Sequence, residues 1–103
     1  MTVEELKALV ESGELPFVLD VREPLELRIA PYPFPVHAVP MRDVPQRLAE
    51  IPADREVVVA CRSGARSETV VQFLRRNGVP RAVNLEGGIL AWSERIDPSV
   101  PRY

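Results

Sequence analysis

The fold is decided by one stretch of the sequence, Glu56-Val57-Val58-Val59-Ala60-Cys61-Arg62-Ser63-Gly64-Ala65-Arg66-Ser67. Its beginning is a largely apolar, β-branched run, which predicts a strand buried on both faces in a parallel sheet. The polar residues after Cys61 predict a loop. Beyond them, apolar residues recur at helical spacing as far as Asn77-Gly78, so a helix follows the loop. A strand, a loop and a helix in this order predict one unit of a parallel α/β sheet.

The rest of the chain repeats this alternation. Thr2 and Glu5 have the spacing of a capping box, so a helix begins after Thr2, and Gly13 ends it. Further strands are predicted at residues 17–21, 37–39 and 82–85, and further helices at residues 24–30, 43–51 and 89–94. No linker or repeat divides residues 1–103. The pattern therefore predicts a single α/β domain with right-handed crossovers and helices on both faces of its sheet.

Composition and charge narrow the classes of function. The chain has 103 residues, of which 46% are apolar, as expected for a globular core. The formal net charge of −2 gives no general attraction to nucleic acid or to an anionic membrane surface. No apolar run is long enough to span a membrane, and the acidic start of the sequence lacks the features of a signal or transit peptide. We therefore expect a cytoplasmic protein that binds neither nucleic acid nor membrane.

The chain contains one cysteine, Cys61, and one histidine, His37. Together they are too few for a protein-only zinc site, and Cys61 has no partner for an internal disulfide. We expect no metal and no other cofactor. His37 has no acid or metal-ligand spacing around it, which favours a surface or structural role.

Cys61 has the position of a reactive group. It ends the predicted strand and precedes a helix, and ligands of open α/β sheets bind beyond the carboxyl ends of strands. The helix amino terminus, Arg62 and Arg66 are all expected to lower the pKa of the thiol. A single cysteine after four apolar or small residues also fits an inert core position. The polar loop, with Gly64 able to adopt positive φ, favours an anion-binding site instead.

Three segments then resemble one family, the rhodanese-like sulfurtransferases. Residues 61–67 resemble its active-site loop, Leu19 to Pro24 its first signature, and Leu85 to Trp92 its last. The resemblance implies a doubly wound sheet of about five mostly parallel strands. It also implies a persulfide on Cys61, with the main-chain N–H groups of a loop surrounding the outer sulfur. That loop consists of Arg62, Ser63, Gly64, Ala65 and Arg66.

The chemistry implied is sulfur transfer in two displacements. The thiolate takes the outer sulfur from a small anionic donor such as thiosulfate, and cyanide, a thiol or a sulfur-accepting protein removes it. No second cysteine is present to resolve the persulfide from within. Asp20 and Arg22, at the end of a strand, are expected to brace the loop, and Ser67 to support it.

Residues 31–40 depart from the family pattern, since four prolines replace its usual turn. The aromatic residues there are expected to pack in the core or to border the site. Trp92 is expected in the core, and Gly87-Gly88 in a tight turn.

Two other functions remain open. Cysteine-dependent phosphatases and arsenate reductases also place a cysteine and an arginine around an anion, but their loop is one residue longer than the four residues between Cys61 and Arg66. The second alternative is a rhodanese-like module that only binds partners. The presence of Cys61 and of both loop arginines counts against it.

Overall fold

The predicted alternation of helices and strands is present in the computed structural model, which describes residues 1–103. The α-helices are α1 (Val3–Glu11), α2 (Pro24–Ile29), α3 (Ala65–Arg76) and α4 (Gly88–Arg95). The strands are β1 (Phe17–Asp20), β2 (His37–Ala38), β3 (Val57–Ala60) and β4 (Ala82–Asn84). Each element lies within about two residues of its predicted place, a usual uncertainty at element ends.

The sheet is parallel throughout, in the order β2-β1-β3-β4. It has the four strands located in the sequence, and the fifth strand implied by the resemblance is absent. Met1 instead lies beside β4, at that edge of the sheet. Its amino group donates a hydrogen bond to the main-chain oxygen of Asn84 at 2.9 Å, and its carbonyl accepts one from the N–H of Glu86 at 2.9 Å.

Both faces of the sheet are covered, because the strands alternate their side chains between two cores. Val57 and Val59 of β3 pack with α3 and the segment before β3, whereas Val58 and Ala60 pack with α1 and α4. Burying a valine or leucine side chain contributes roughly 1.5–3 kcal/mol. Two apolar faces on each central strand therefore hold the end of β3, where Cys61 follows, in a rigid frame.

The helix predicted at residues 43–51 is not an α-helix. The segment forms two 3-10 helices, Met41–Asp43 and Pro45–Glu50, with non-helical φ and ψ at Arg47. Pro45 has no N–H to donate to the carbonyl of Met41, so a continuous α-helix loses a hydrogen bond at that point. Val44 instead donates to the Met41 carbonyl at 3.3 Å, the tighter 3-10 pattern.

The aromatic residues of the proline-rich segment pack in the core. Phe34 meets Trp92 edge to face, with ring centroids 5.3 Å apart, and both Tyr32 and Trp92 are buried. His37 lies on β2 and is half exposed. Its Nε2 is 2.8 Å from Oε1 of Glu50, an acid that the sequence spacing did not associate with it. No helix combines the length and apolar character needed to cross a bilayer.

Candidate active site

Cys61 lies at the edge of the sheet where the parallel strands end. The register pairs Asp20 of β1 with Ala60 of β3, and Val59 of β3 with Asn84 of β4. The ends of these three strands therefore meet beside Cys61. Because open α/β sheets bind ligands at this edge, the edge is the candidate site.

The turn Gly87-Gly88 holds the start of the loop against α4. The N–H groups of Ile89 and Leu90 donate to the carbonyls of Cys61 and Arg62 at 3.0 and 3.1 Å. Gly88 has a φ of 56°, and a Cβ atom there would lie 2.5 Å from the Cys61 carbonyl oxygen and 2.6 Å from that of Arg62. The loop carbonyls are thus turned towards α4, which leaves the following N–H groups available to the sulfur.

The sulfur of Cys61 is the point on which the loop converges. The N–H groups of Gly64 and Ser67 donate to it at 3.1 and 3.4 Å, and the Ser67 hydroxyl lies 3.3 Å away. These N–H groups belong to the first turn of α3, where main-chain donors have no partner within the helix. The arrangement is a nest for a negatively charged sulfur at a helix amino terminus.

Hydrogen bonds to the sulfur are the main causes that lower the pKa of Cys61. Burial of the thiol raises its pKa, but the Ser67 hydroxyl and the N–H groups of Ser67, Gly64 and Ser63 outweigh burial and bring the pKa below its ordinary value. The Ser67 hydroxyl and the loop N–H groups together stabilise the thiolate.

Arg66 and Cys61 also attract each other electrostatically, although the guanidinium of Arg66 makes its hydrogen bonds with Glu26. The expected contribution of Arg62 stays a prediction, since its guanidinium is bound to Tyr103.

Gly64 gives the loop its shape. It caps α3 in the left-handed region, with a φ of 99°, which side chains other than glycine disfavour. A Cβ atom at this position would also lie 3.2 Å from the main-chain nitrogen of Gly87. Ser63 and Ala65 are exposed on either side of it, so only the main chain of the loop turns inwards.

Asn84, which the sequence analysis missed, supports both Gly64 and Ser67. Its amide nitrogen donates to the Gly64 carbonyl at 3.1 Å, and its Oδ1 accepts a hydrogen bond from the Ser67 hydroxyl at 2.5 Å. The signal available in the sequence was its place at the end of β4, next to the end of β3. A single polar residue ending a strand is too common to stand out.

Asp20 and Arg22 form a buried ion pair. Both side chains have no exposure, and the Arg22 Nε and Nη2 atoms lie 3.0 and 2.8 Å from Oδ1 and Oδ2 of Asp20. Burial lowers the pKa of Arg22, but the hydrogen bonds that its guanidinium donates to Asp20 raise the pKa above its ordinary value. Arg22 Nη1 also donates to the Ala30 carbonyl and to the Tyr103 hydroxyl, each at 3.0 Å. Arg22 therefore joins Asp20 to Ala30 and Tyr103, and neither member of the pair makes a hydrogen bond with Cys61.

Arg66 joins the loop to α2. Its two terminal nitrogens donate to the two carboxylate oxygens of Glu26, each at 2.7 Å. The hydrogen bond with Arg66 lowers the pKa of Glu26 to about 2. Such a two-point pairing fixes both side chains, so Arg66 faces α2 and not the sulfur.

Arg62 faces Tyr103. Its guanidinium donates to the main-chain oxygen of Tyr103 and lies 5.2 Å from the centroid of that ring. Arg62 has no carboxylate side chain as a partner, unlike Arg22 and Arg66. The contact with Tyr103 joins residues far apart in the sequence, which explains why sequence reasoning did not find it.

Comparison with known proteins agrees with this geometry. The sequence profile of the rhodanese-like domain matches residues 2–95. A sulfurtransferase of Allochromatium vinosum is 39% identical over 97 residues, covering 94% of this chain and 90% of its own length. The putative sulfurtransferase YtwF of Bacillus subtilis is 38% identical over 93 residues, covering 90% of this chain and 88% of its own.

Among solved structures, a rhodanese-like domain protein from Staphylococcus aureus superposes with a TM-score of 0.82. It is 33% identical, and the match covers 89% of this chain and 88% of that one. The chain therefore belongs to the rhodanese-like domain family. The named relatives support sulfurtransferase activity as the general class of reaction.

Proposed function

We propose that the protein moves a sulfane sulfur from a donor such as thiosulfate to a thiophilic acceptor through a persulfide on Cys61. The observation that carries this proposal is the convergence of two main-chain N–H groups and the Ser67 hydroxyl on the Cys61 sulfur. The lowered pKa of Cys61 favours the thiolate, which is the nucleophile that attack on a sulfur donor requires.

The first displacement loads the cysteine. The Cys61 thiolate attacks the outer sulfur of thiosulfate, the S–S bond of the donor breaks, and sulfite leaves with the bonding electrons. The product is a persulfide anion on Cys61, so the total charge is unchanged. The loop N–H groups hold the negatively charged sulfur before the step, and the persulfide anion is expected to be held by the same groups after it.

The second displacement unloads the cysteine. An acceptor such as cyanide attacks the outer sulfur of the persulfide, the Cys61 S–S bond breaks, and thiocyanate leaves as the thiolate is restored. A thiol or a sulfur-accepting protein is expected to react in the same way. Because Cys61 is the only cysteine, the acceptor must come from outside the chain.

We place this reaction in the cytoplasm, because a catalytic thiol without a disulfide partner needs a reducing compartment. Arg62, Ser63, Gly64, Ala65 and Arg66 are proposed as the loop that receives the donor, and Ser67, Asp20 and Arg22 as its support. Only the loop main chain faces the sulfur, so side-chain changes at Ser63 and Ala65 are expected to matter least.

Steady-state formation of thiocyanate from thiosulfate and cyanide tests the proposal. The native protein should turn over, and Cys61→Ser should retain the fold with no turnover, since an alcohol does not accept sulfur reversibly. Ala65→Ser, an exposed change in the same loop, is the matched control and should remain active. Turnover by folded Cys61→Ser would contradict the mechanism.

A further inference from the structure

The hydroxyl of Tyr32 is bonded directly to the main chain of the nucleophile. It donates a hydrogen bond to the main-chain oxygen of Cys61 at 3.0 Å. The same oxygen accepts the N–H of Ile89, also at 3.0 Å. A carbonyl oxygen has two lone pairs, so both acceptor positions of the Cys61 carbonyl are occupied. One donor comes from the proline-rich segment 31–40 and the other from α4.

The packing around Tyr32 holds its hydroxyl in a fixed place. Tyr32 is 6% exposed, its ring meets Trp92 edge to face with centroids 6.5 Å apart, and the guanidinium carbon of Arg22 lies 5.0 Å from its ring centroid. A proline on each side restricts its backbone. Burial raises the pKa of Tyr32 well above its ordinary value, whereas the pKa of Cys61 is lowered. The hydroxyl therefore stays a donor over the pH range in which Cys61 titrates.

The direction of the Cys61 carbonyl sets the direction of the next N–H group, that of Arg62. In a trans peptide bond the C=O of one residue and the N–H of the next point to opposite sides, and no peptide bond of this chain is cis. Two donors from separate elements thus keep the Arg62 N–H on the side away from Tyr32 and Ile89. If the Tyr32 hydroxyl is lost, the peptide unit can turn about the remaining hydrogen bond, and the Arg62 N–H turns with it.

The Arg62 N–H is one of the free main-chain donors beside the sulfur. Three N–H groups of the loop donate no hydrogen bond within the protein, those of Arg62, Ala65 and Arg66. The Cys61 sulfur already receives the N–H groups of Gly64 and Ser67. The free donors are therefore those left for a second sulfur atom, which in a persulfide lies about 2 Å beyond Sγ. That outer sulfur carries the charge of the persulfide anion, which main-chain N–H groups stabilise.

We propose that Tyr32 is a positioning residue, whose hydroxyl fixes the peptide bond between Cys61 and Arg62 so that the Arg62 N–H supports the outer sulfur of the persulfide. This inference rests on the proposed function and concerns the loaded state of that site. The thiolate depends on Gly64 and Ser67 and gains little from Tyr32. Loss of the Tyr32 hydroxyl therefore weakens the persulfide anion more than the thiolate.

Loading with glutathione persulfide prepares the state to be tested. The Cys61 thiolate attacks the outer sulfur of the donor, the S–S bond of the donor breaks, and glutathione leaves with the bonding electrons and takes the proton. The products are the Cys61 persulfide anion and glutathione as a thiol. No oxidant, reductant or metal is required.

The pH dependence of alkylation by iodoacetamide separates the two states of Cys61. The reagent captures the thiolate in the unloaded protein and the outer sulfur in the loaded protein, and intact mass distinguishes the two products. Tyr32→Phe keeps the ring, and it should raise the pH midpoint of the loaded protein by about 0.7 unit, or about fivefold, since one hydrogen bond to a charged group is weakened. The midpoint of the unloaded protein should move by much less.

Ser93→Ala is the matched control. The Ser93 hydroxyl is also buried and donates to a main-chain oxygen, that of Val100, at 2.6 Å, but it makes no hydrogen bond with the loop. Both variants lose a buried hydrogen bond, so a general loosening of the structure would move the midpoint of the loaded protein in both. A shift of equal size in Ser93→Ala, or no shift in Tyr32→Phe, would overturn the positioning role.

The equilibrium of Cys61 with thiosulfate and sulfite separates the positioning role from the choice of donor. At fixed concentrations of both anions, Tyr32→Phe should lower the ratio of loaded to unloaded protein about fivefold. If thiosulfate does not load the native protein, while glutathione persulfide does and the Tyr32→Phe shift is present, the proposed donor fails and the positioning role stands. If thiosulfate loads native protein and Tyr32→Phe to the same ratio, and their loaded midpoints agree, the positioning role fails and the proposed function stands.

Discussion

The Ser67 hydroxyl lies between two acceptors, 2.5 Å from Oδ1 of Asn84 and 3.3 Å from Sγ of Cys61. A hydroxyl has one hydrogen to donate. In the thiol state Ser67 donates to Asn84 and accepts from the Cys61 S–H group. In the thiolate state the same hydrogen is needed by the sulfur, so Asn84 competes with Cys61 for it.

Asn84→Asp is therefore expected to raise the pKa of Cys61. A carboxylate is a stronger acceptor for the Ser67 hydrogen and adds a negative charge near the thiolate, so the pH midpoint of Cys61 alkylation should move up by about one unit. Ser67→Ala, which removes the donor, should also move it up. Asn77→Asp at the exposed end of α3 is the control and should leave the midpoint in place. An unchanged midpoint in both site variants would contradict the competition.

Gly88→Ala tests how the loop is held. The new Cβ would lie 2.5 Å from the carbonyl oxygen of Cys61, so the loop or α4 has to shift, and we expect a loss of more than about 2 kcal/mol in the free energy of unfolding. Gly78→Ala is the matched control. Its φ of 92° is also positive, but nothing lies within 4 Å of the new Cβ. The free energy of unfolding of Gly78→Ala should fall by about 1 kcal/mol, the usual strain of a positive φ alone. Urea unfolding measures the free energy of unfolding of both variants. Equal losses in Gly88→Ala and Gly78→Ala would contradict the close approach of Gly88 to the Cys61 carbonyl.

The pairing of Glu26 with Arg66 predicts a pH dependence of stability. The pKa of Glu26 is lowered from 4.5 to about 2, so its contribution is present above the unfolded pKa and is lost as the pH falls from about 4.5 to about 2. Solvent screening limits this contribution to about 1 kcal/mol, because Arg66 is about one third exposed.

Glu26→Gln should remove that contribution above pH 5, and its unfolding free energy should fall less than that of the native protein between pH 4.5 and 2. Glu14→Gln, an exposed change with no ion pair, should follow the native curve. A parallel decline of the native protein and Glu26→Gln would show that the pair does not contribute.

The direction of Arg66 predicts no phosphatase activity. Phosphate transfer needs a guanidinium that faces the anion, whereas both terminal nitrogens of Arg66 bind Glu26. We expect negligible hydrolysis of aryl phosphates by the native protein. Hydrolysis that disappears in Cys61→Ser would favour the cysteine phosphatase class instead.

Local sequence was sufficient to predict the strand before Cys61, the loop and the helix after it, because each depends on neighbouring residues. It was insufficient for the partners of the charged side chains. Arg66 binds Glu26 of α2 and Arg62 binds Tyr103, and both pairings depend on how distant segments pack. The 3-10 helices were missed for a different reason. A proline in the first turn predicts a helix start equally well whether the helix that follows is α or 3-10.

The central claim is that Cys61 carries sulfur as a persulfide, and intact mass spectrometry tests it most directly. After incubation with thiosulfate or glutathione persulfide and removal of the donor, the native protein should gain the mass of one sulfur atom, located on Cys61. Cyanide should then remove that mass and release thiocyanate. A native, folded protein that gains no sulfur from either donor, or whose added sulfur is retained in Cys61→Ser, would contradict the account.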